Sequence, residues 1–66
     1  MFDQRKPMLN LKIMRIRRGL TQVELSEKIG VSQNTISFYE IGKRYPSYKI
    51  LCKLAEVLDC EIKDIA

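Results

Sequence analysis

Sixty-six residues with a formal charge of +4 and a pI near 9.3 lie near the lower limit at which apolar burial alone sustains a fold, and are too few to enclose a large active site. The chain has no histidine and no candidate nucleophile beside a base, so it is not expected to be an enzyme, and no cofactor or small-molecule ligand is expected. The start "MFDQRKPM" has no apolar leader and no stretch approaches membrane-spanning length, which makes a cytoplasmic location the expectation; the basic balance favours a polyanion but would equally suit a membrane surface, a role disfavoured because no helix combines a Lys/Arg face with a broad exposed apolar one.

The elements are expected to be helices throughout, because no segment alternates at period two. Pro7 suits a first helical turn and "MLNLKIMRIRR" runs helix-like to Gly19, placing helix 1 at about residues 7–18. Thr21 followed by Glu24 is a reciprocal capping pattern, with helix 2 at about 22–29. Gly30 can end that helix and Ser32 can cap the next, at about 33–41, leaving Val31 alone in the corner. Pro46 and Ser47 announce a fourth helix at about 47–58, whose Leu51, Leu54, Ala55 and Leu58 recur at core-facing spacing. A last helix at about 62–66 carries Ile62 and Ile65. The predicted fold is all-α, a five-helix bundle in a single domain spanning residues 1–66.

The charge is unevenly spread. Arg5, Lys6, Lys12, Arg15, Arg17 and Arg18 face Asp3 alone in the first twenty residues, whereas Glu56, Asp59, Glu61 and Asp64 oppose only Lys63 at the other end. The first end is read as the one that meets anions. Cys52 and Cys60 lack a CxxC neighbour, so a zinc site has too few ligands and both thiols are read as structural.

The corner between helices 2 and 3 needs a small side chain at the crossing, which Ser26 supplies, and an apolar wedge, which Val31 supplies. At about 100° per residue, Ile36 and Tyr39 point inward with Thr35 and Glu40 flanking them. Gln33, Asn34, Ser37, Phe38 and Ile41 gather on the other arc, which carries no charge of its own. A merely solvated face would show Lys and Glu there. Gln and Asn match the donor and acceptor edge of adenine, Ser hydrogen-bonds several bases, and a Phe ring can touch a thymine methyl. Gln22, Lys43, Arg44, Ser47 and Lys49 sit where phosphates would flank that arc.

"GLTQVELSEKIGVSQNTISFYEIGKRYPS" followed by "LCKLAEVL" resembles the helix-turn-helix domain of lambdoid phage repressors and Cro proteins (the XRE-like family), from about Leu11 to Ile65. The resemblance implies base contacts from Gln33, Asn34, Ser37 and Phe38, and a Gln22 that touches phosphate while bracing Gln33. It implies an internal ion pair between Arg15 and Glu40, with Lys43 and Arg44 reaching the DNA backbone or minor groove. Ser26 departs from the usual alanine, Phe38 from a polar residue, and Ile13 and Ile16 from charged residues.

Phe38 and one apolar stripe each keep two readings. Phe38 is either a base contact or core packing beneath helix 4. Leu9, Ile13 and Ile16 form a second apolar stripe on helix 1, covered either by Ile62 and Ile65 or by another subunit. The expected function is a sequence-specific, DNA-binding transcriptional regulator, a repressor rather than an activator, reading the major groove with helix 3 as a homodimer on two-fold-related half-sites. The rival is a protein-interaction module, such as an antitoxin or a polymerase-docking adaptor, on the same fold.

Overall fold

The computed structural model of the chain describes residues 6–66. Four α-helices follow one another: α1 Leu9–Arg17, α2 Gln22–Ile29, α3 Gln33–Ile41 and α4 Tyr48–Val57, with a single 3-10 turn at Ile62–Asp64. No strand occurs among the described residues.

The caps explain the boundaries. The Thr21 hydroxyl accepts from the Glu24 N–H at 3.0 Å while the Glu24 carboxylate accepts from the Thr21 N–H at 2.8 Å, closing the capping box of α2. Ser32 and Ser47 each accept from the backbone N–H three residues on, at 3.1 and 3.3 Å, and start α3 and α4. α1 begins later than Pro7: Met8 is its N-cap, and the Met8 N–H is spent on the Tyr39 carbonyl at 3.2 Å, which docks the chain onto the end of α3.

The expected fifth α-helix is corrected to the 3-10 turn. After the left-handed residue Asp59 (φ +54) no continuous four-residue bonding pattern forms; among the described residues beyond it, Ala66 N–H alone reaches back four residues, to the Ile62 carbonyl at 2.9 Å. Instead Asp64 N–H reaches the Glu61 carbonyl at 2.9 Å, Ile65 N–H the Ile62 carbonyl at 3.0 Å, and the Asp64 carboxylate accepts from the Glu61 N–H at 2.9 Å. The turn still delivers Ile65 into the core.

That core joins all the elements. Leu11 of α1, Leu25 and Ile29 of α2, Ile36 and Tyr39 of α3, Leu51, Leu54 and Ala55 of α4, and Leu58 and Ile65 beyond it are buried, with Val31 and Cys60 packed against them. α2 packs on both α3 and α4, and the 3-10 turn packs on α4. Burial pushes the Cys60 thiol up, with the negative charge of Asp64 adding to the effect, so this sulfur is a filler with little thiolate character. Cys52 is exposed and lies off the core stripe.

Two expectations about the first helix change. Ile65 is buried and Ile62 half-buried, yet Leu9, Ile13 and Ile16 keep 61%, 46% and 56% of their surface exposed. The last turn therefore does not cover the second stripe; it faces instead an open groove of about 500 Å³ lined by Asn10, Ile13, Met14, Arg17, Lys63 and Asp64. Arg18, counted among the anion-facing charges, stays exposed but donates from Nε to the Leu58 carbonyl at 2.8 Å and from Nη2 to the Asp59 carbonyl at 3.2 Å. It satisfies the carbonyl end of α4 and sits at the negative pole of that helix.

Candidate nucleic-acid interface

The corner that presents α3 is built from small groups. Gly30 takes the left-handed conformation (φ +79), and the N–H groups of Gly30 and Val31 both donate to the Ser26 carbonyl, at 2.9 and 3.1 Å. Ser26 is buried at the crossing, and its hydroxyl donates back to the Val23 carbonyl at 2.7 Å, so the one polar atom there is satisfied within its own helix.

The inner side of α3 is anchored by Ile36, Tyr39 and Glu40. Glu40 is only 4% exposed and meets Arg15 of α1, itself 8% exposed. Arg15 Nε donates to Glu40 Oε2 at 2.7 Å and Nη2 to Oε1 at 3.3 Å, while Nη1 donates to the Leu20 carbonyl at 2.8 Å. Two fork contacts to a carboxylate fix direction as well as distance, so the end of α3 is held at a set angle to α1.

The same carboxylate reaches the outer surface through one amide. Glu40 Oε1 also accepts from Gln22 Nε2 at 3.0 Å, and Gln22 Oε1 accepts from Gln33 Nε2 at 3.4 Å. A relay thus runs from the buried guanidinium of Arg15 through Glu40 and Gln22 to Gln33. Among the described residues no buried side-chain nitrogen or oxygen lacks a partner, so the buried ion pair carries no unpaired polar atom.

On the outer arc Gln33, Asn34 and Ile41 are exposed, and Ser37 and Phe38 are half-buried. Lys43, Arg44, Ser47 and Lys49 are exposed around the exit of α3 and the start of α4, and Gln22 is half-buried at the start of α2. Ser47 already uses its oxygen to accept from the Ile50 N–H. Its hydroxyl hydrogen is what remains for an incoming acceptor.

One feature of this surface was not visible along the sequence. The guanidinium of Arg44 lies over the Phe38 ring, 5.7 Å from its centroid, so the arc is not chargeless. Gly42 (φ +84) reverses the chain, and the Lys43 and Arg44 N–H groups both donate to the Phe38 carbonyl, at 2.9 and 3.3 Å. Phe38 is thereby neither core nor a bare ring. The phenol of Tyr39, next in the chain, is pushed up by burial and drawn partly back by the Arg44 charge. Ring and cation stand six positions apart across a left-handed turn, a relation that neither helical nor strand periodicity signals.

Among the described residues, no group of His, Cys, Asp and Glu is placed to hold a metal ion, and no helix is long and apolar enough to cross a membrane.

A family model described as Helix-turn-helix matches residues 11–65. An uncharacterised HTH-type transcriptional regulator of Methanocaldococcus jannaschii is 44% identical over 55 residues, covering 83% of both chains. Another from Archaeoglobus fulgidus is 40% identical over 55 residues, covering 83% of this chain and 79% of its own. Among solved structures, the restriction-modification controller protein C.AhdI from Aeromonas hydrophila superposes with a TM-score of 0.81 at 29% identity, covering 88% of each chain. The clp gene regulator ClgR from Corynebacterium glutamicum superposes equally well, TM-score 0.81 at 28% identity, over 86% of this chain; the match spans 61% of the ClgR chain. On the match over residues 11–65 and on these relatives, the chain belongs to the XRE-type helix-turn-helix family of transcriptional regulators.

Proposed function

We propose that the chain is a sequence-specific DNA-binding regulator, acting as a repressor, that inserts α3 into the major groove as a homodimer on two-fold-related half-sites. The observation that carries this reading is the pairing of exposed, uncharged Gln33 and Asn34 with a helix locked from behind by the Arg15–Glu40 fork. Amide groups on a rigid rod can test base edges, because discrimination requires that a wrong donor or acceptor meet a partner that does not yield. Gln33, Asn34 and Ser37 are the base readers. The long 3.4 Å contact from Gln22 holds Gln33 in place while leaving its amide able to turn toward adenine.

Backbone contacts come from Gln22, Lys43, Arg44, Ser47 and Lys49. Two helix N-termini, those of α2 and α4, add their free N–H groups to the cationic rim. Phe38, expected among the base contacts, carries Arg44 over one ring face and is treated separately below. One such module reads few base pairs, so useful affinity calls for two copies with half-site centres ~34 Å apart.

A rival reading, a protein-interaction module, has the exposed Leu9, Ile13 and Ile16 in its favour. Titration of the full chain with random duplex DNA across a salt series separates the two. A DNA reader binds with a steep negative slope of log affinity against log salt, about 0.9 per phosphate contact. Negligible affinity for any duplex at low salt contradicts the proposal and favours the rival.

A further inference from the structure

We infer that Phe38 is a positioning residue for Arg44, and that ring and guanidinium work on DNA as one stacked unit at the exit of the reading helix. The inference rests on the duplex-reading proposal above but stands on separate geometry. Three restraints converge on it: the cation lies 5.7 Å over the ring, the Arg44 N–H is bonded to the Phe38 carbonyl at 3.3 Å, and the Lys43 N–H shares that carbonyl at 2.9 Å. The turn between them is fixed in its own right, because a Cβ on Gly42 would lie 2.9 Å from the Pro7 nitrogen and 3.0 Å from the Lys6 carbonyl carbon.

An exposed arginine ordinarily samples many rotamers and loses that freedom when it meets a phosphate. Stacking on Phe38 removes part of the cost in the free protein. It also holds the cation over the ring at the exit of α3, where a planar guanidinium can offer its N–H groups to an acceptor. An ammonium in place of the guanidinium loses these planar donors, so Arg44→Lys is not a conservative change. A half-buried aromatic in an otherwise polar arc is accounted for by this role, with no need for it to read a base.

The test is a double-mutant cycle on the full chain, Phe38→Leu, Arg44→Ala and the pair together, against a duplex selected from a random pool. Phe38→Leu is expected to weaken all duplexes alike by about two- to fivefold, with the base preference kept and with no further loss in the Arg44→Ala background. Phe38→Tyr restores the coupling, and thermal melting confirms that each variant is folded. Additive losses overturn the stacked unit. So does loss of preference at one base position that persists without Arg44, since the ring then reads a base itself. In the free protein, NMR gives a second readout: ring-current shifts of the Arg44 side-chain protons that vanish in Phe38→Leu. Their absence in the wild type overturns the stack while leaving the DNA reading intact, whereas full ring-current shifts without duplex affinity overturn the DNA role alone.

Discussion

Arg15 and Glu40 carry more of the site than any residue that would touch a ligand. Their fork is buried, so removing one partner strands the other charge without water, a loss of roughly 3–5 kcal/mol. Arg15→Ala and Glu40→Ala are each expected to lower stability by that order in denaturant melts. The paired change Arg15→Met with Glu40→Leu costs far less, because two apolar groups leave nothing unpaired. Duplex recognition falls in the double variant even where the fold survives, since α3 has lost its angular restraint. Glu24 shows the exposed counterpart. The Thr21 backbone N–H, then its hydroxyl, hold the Glu24 carboxyl below the ordinary carboxylate value, with Lys28 assisting. A depressed pKa contributes stability that is present above the ordinary value and is lost as pH falls through the lowered one. Glu24→Gln is therefore expected to flatten the acid limb of a stability-against-pH curve; an unchanged limb would remove this carboxylate from the account.

At the scale of elements, two glycine exits look alike in sequence and differ in structure. Gly30 and Gly42 both have positive φ, but a Cβ at Gly30 meets nothing within 4 Å while one at Gly42 runs into the Lys6–Pro7 backbone. Gly30→Ala is expected to cost about 1 kcal/mol from the left-handed conformation alone. Gly42→Ala adds a backbone clash and costs roughly twice that or more. Equal midpoint shifts in the two variants would contradict the docking of the Lys6–Met8 segment on the end of α3. The sequence announced the capped elements well, because Thr21, Ser32 and Ser47 put a hydroxyl one residue before each helix and glycine after two of them. It misjudged the ends, where bonding to distant parts decides. Met8 caps α1 while its N–H bonds the Tyr39 carbonyl, and the segment after Asp59 closes a 3-10 turn against α4. The Arg44–Phe38 contact and the bonding of Arg18 to the end of α4 were illegible for the same reason: each joins positions whose proximity is created by the fold.

At the scale of the whole molecule the basic charge sorts into two kinds. Arg15 and Arg18 are consumed internally, by Glu40 and by the carbonyl end of α4, so the net charge overstates what the first helix offers to an anion. Exposed cations stand both on the first helix, Lys12 and Arg17, and around the exit of α3 and the start of α4, Lys43, Arg44 and Lys49. Lys43→Ala is accordingly expected to weaken binding to every duplex alike and to reduce the salt slope by about 1. A variant that changed base preference with the slope intact would move Lys43 from the rim to the reading set. Two copies on one duplex double the number of phosphate contacts, so the slope measured on a two-fold site exceeds that on a half-site.

The central claim, that α3 is a braced rod whose amides read base edges, is tested most directly by selecting bound duplexes from a random pool with the wild-type chain and with Gln33→Ala. A two-fold-related motif is expected for the wild type, and loss of preference at one position in each half for the variant, worth roughly 1–3 kcal/mol. An identical motif from both proteins would contradict it.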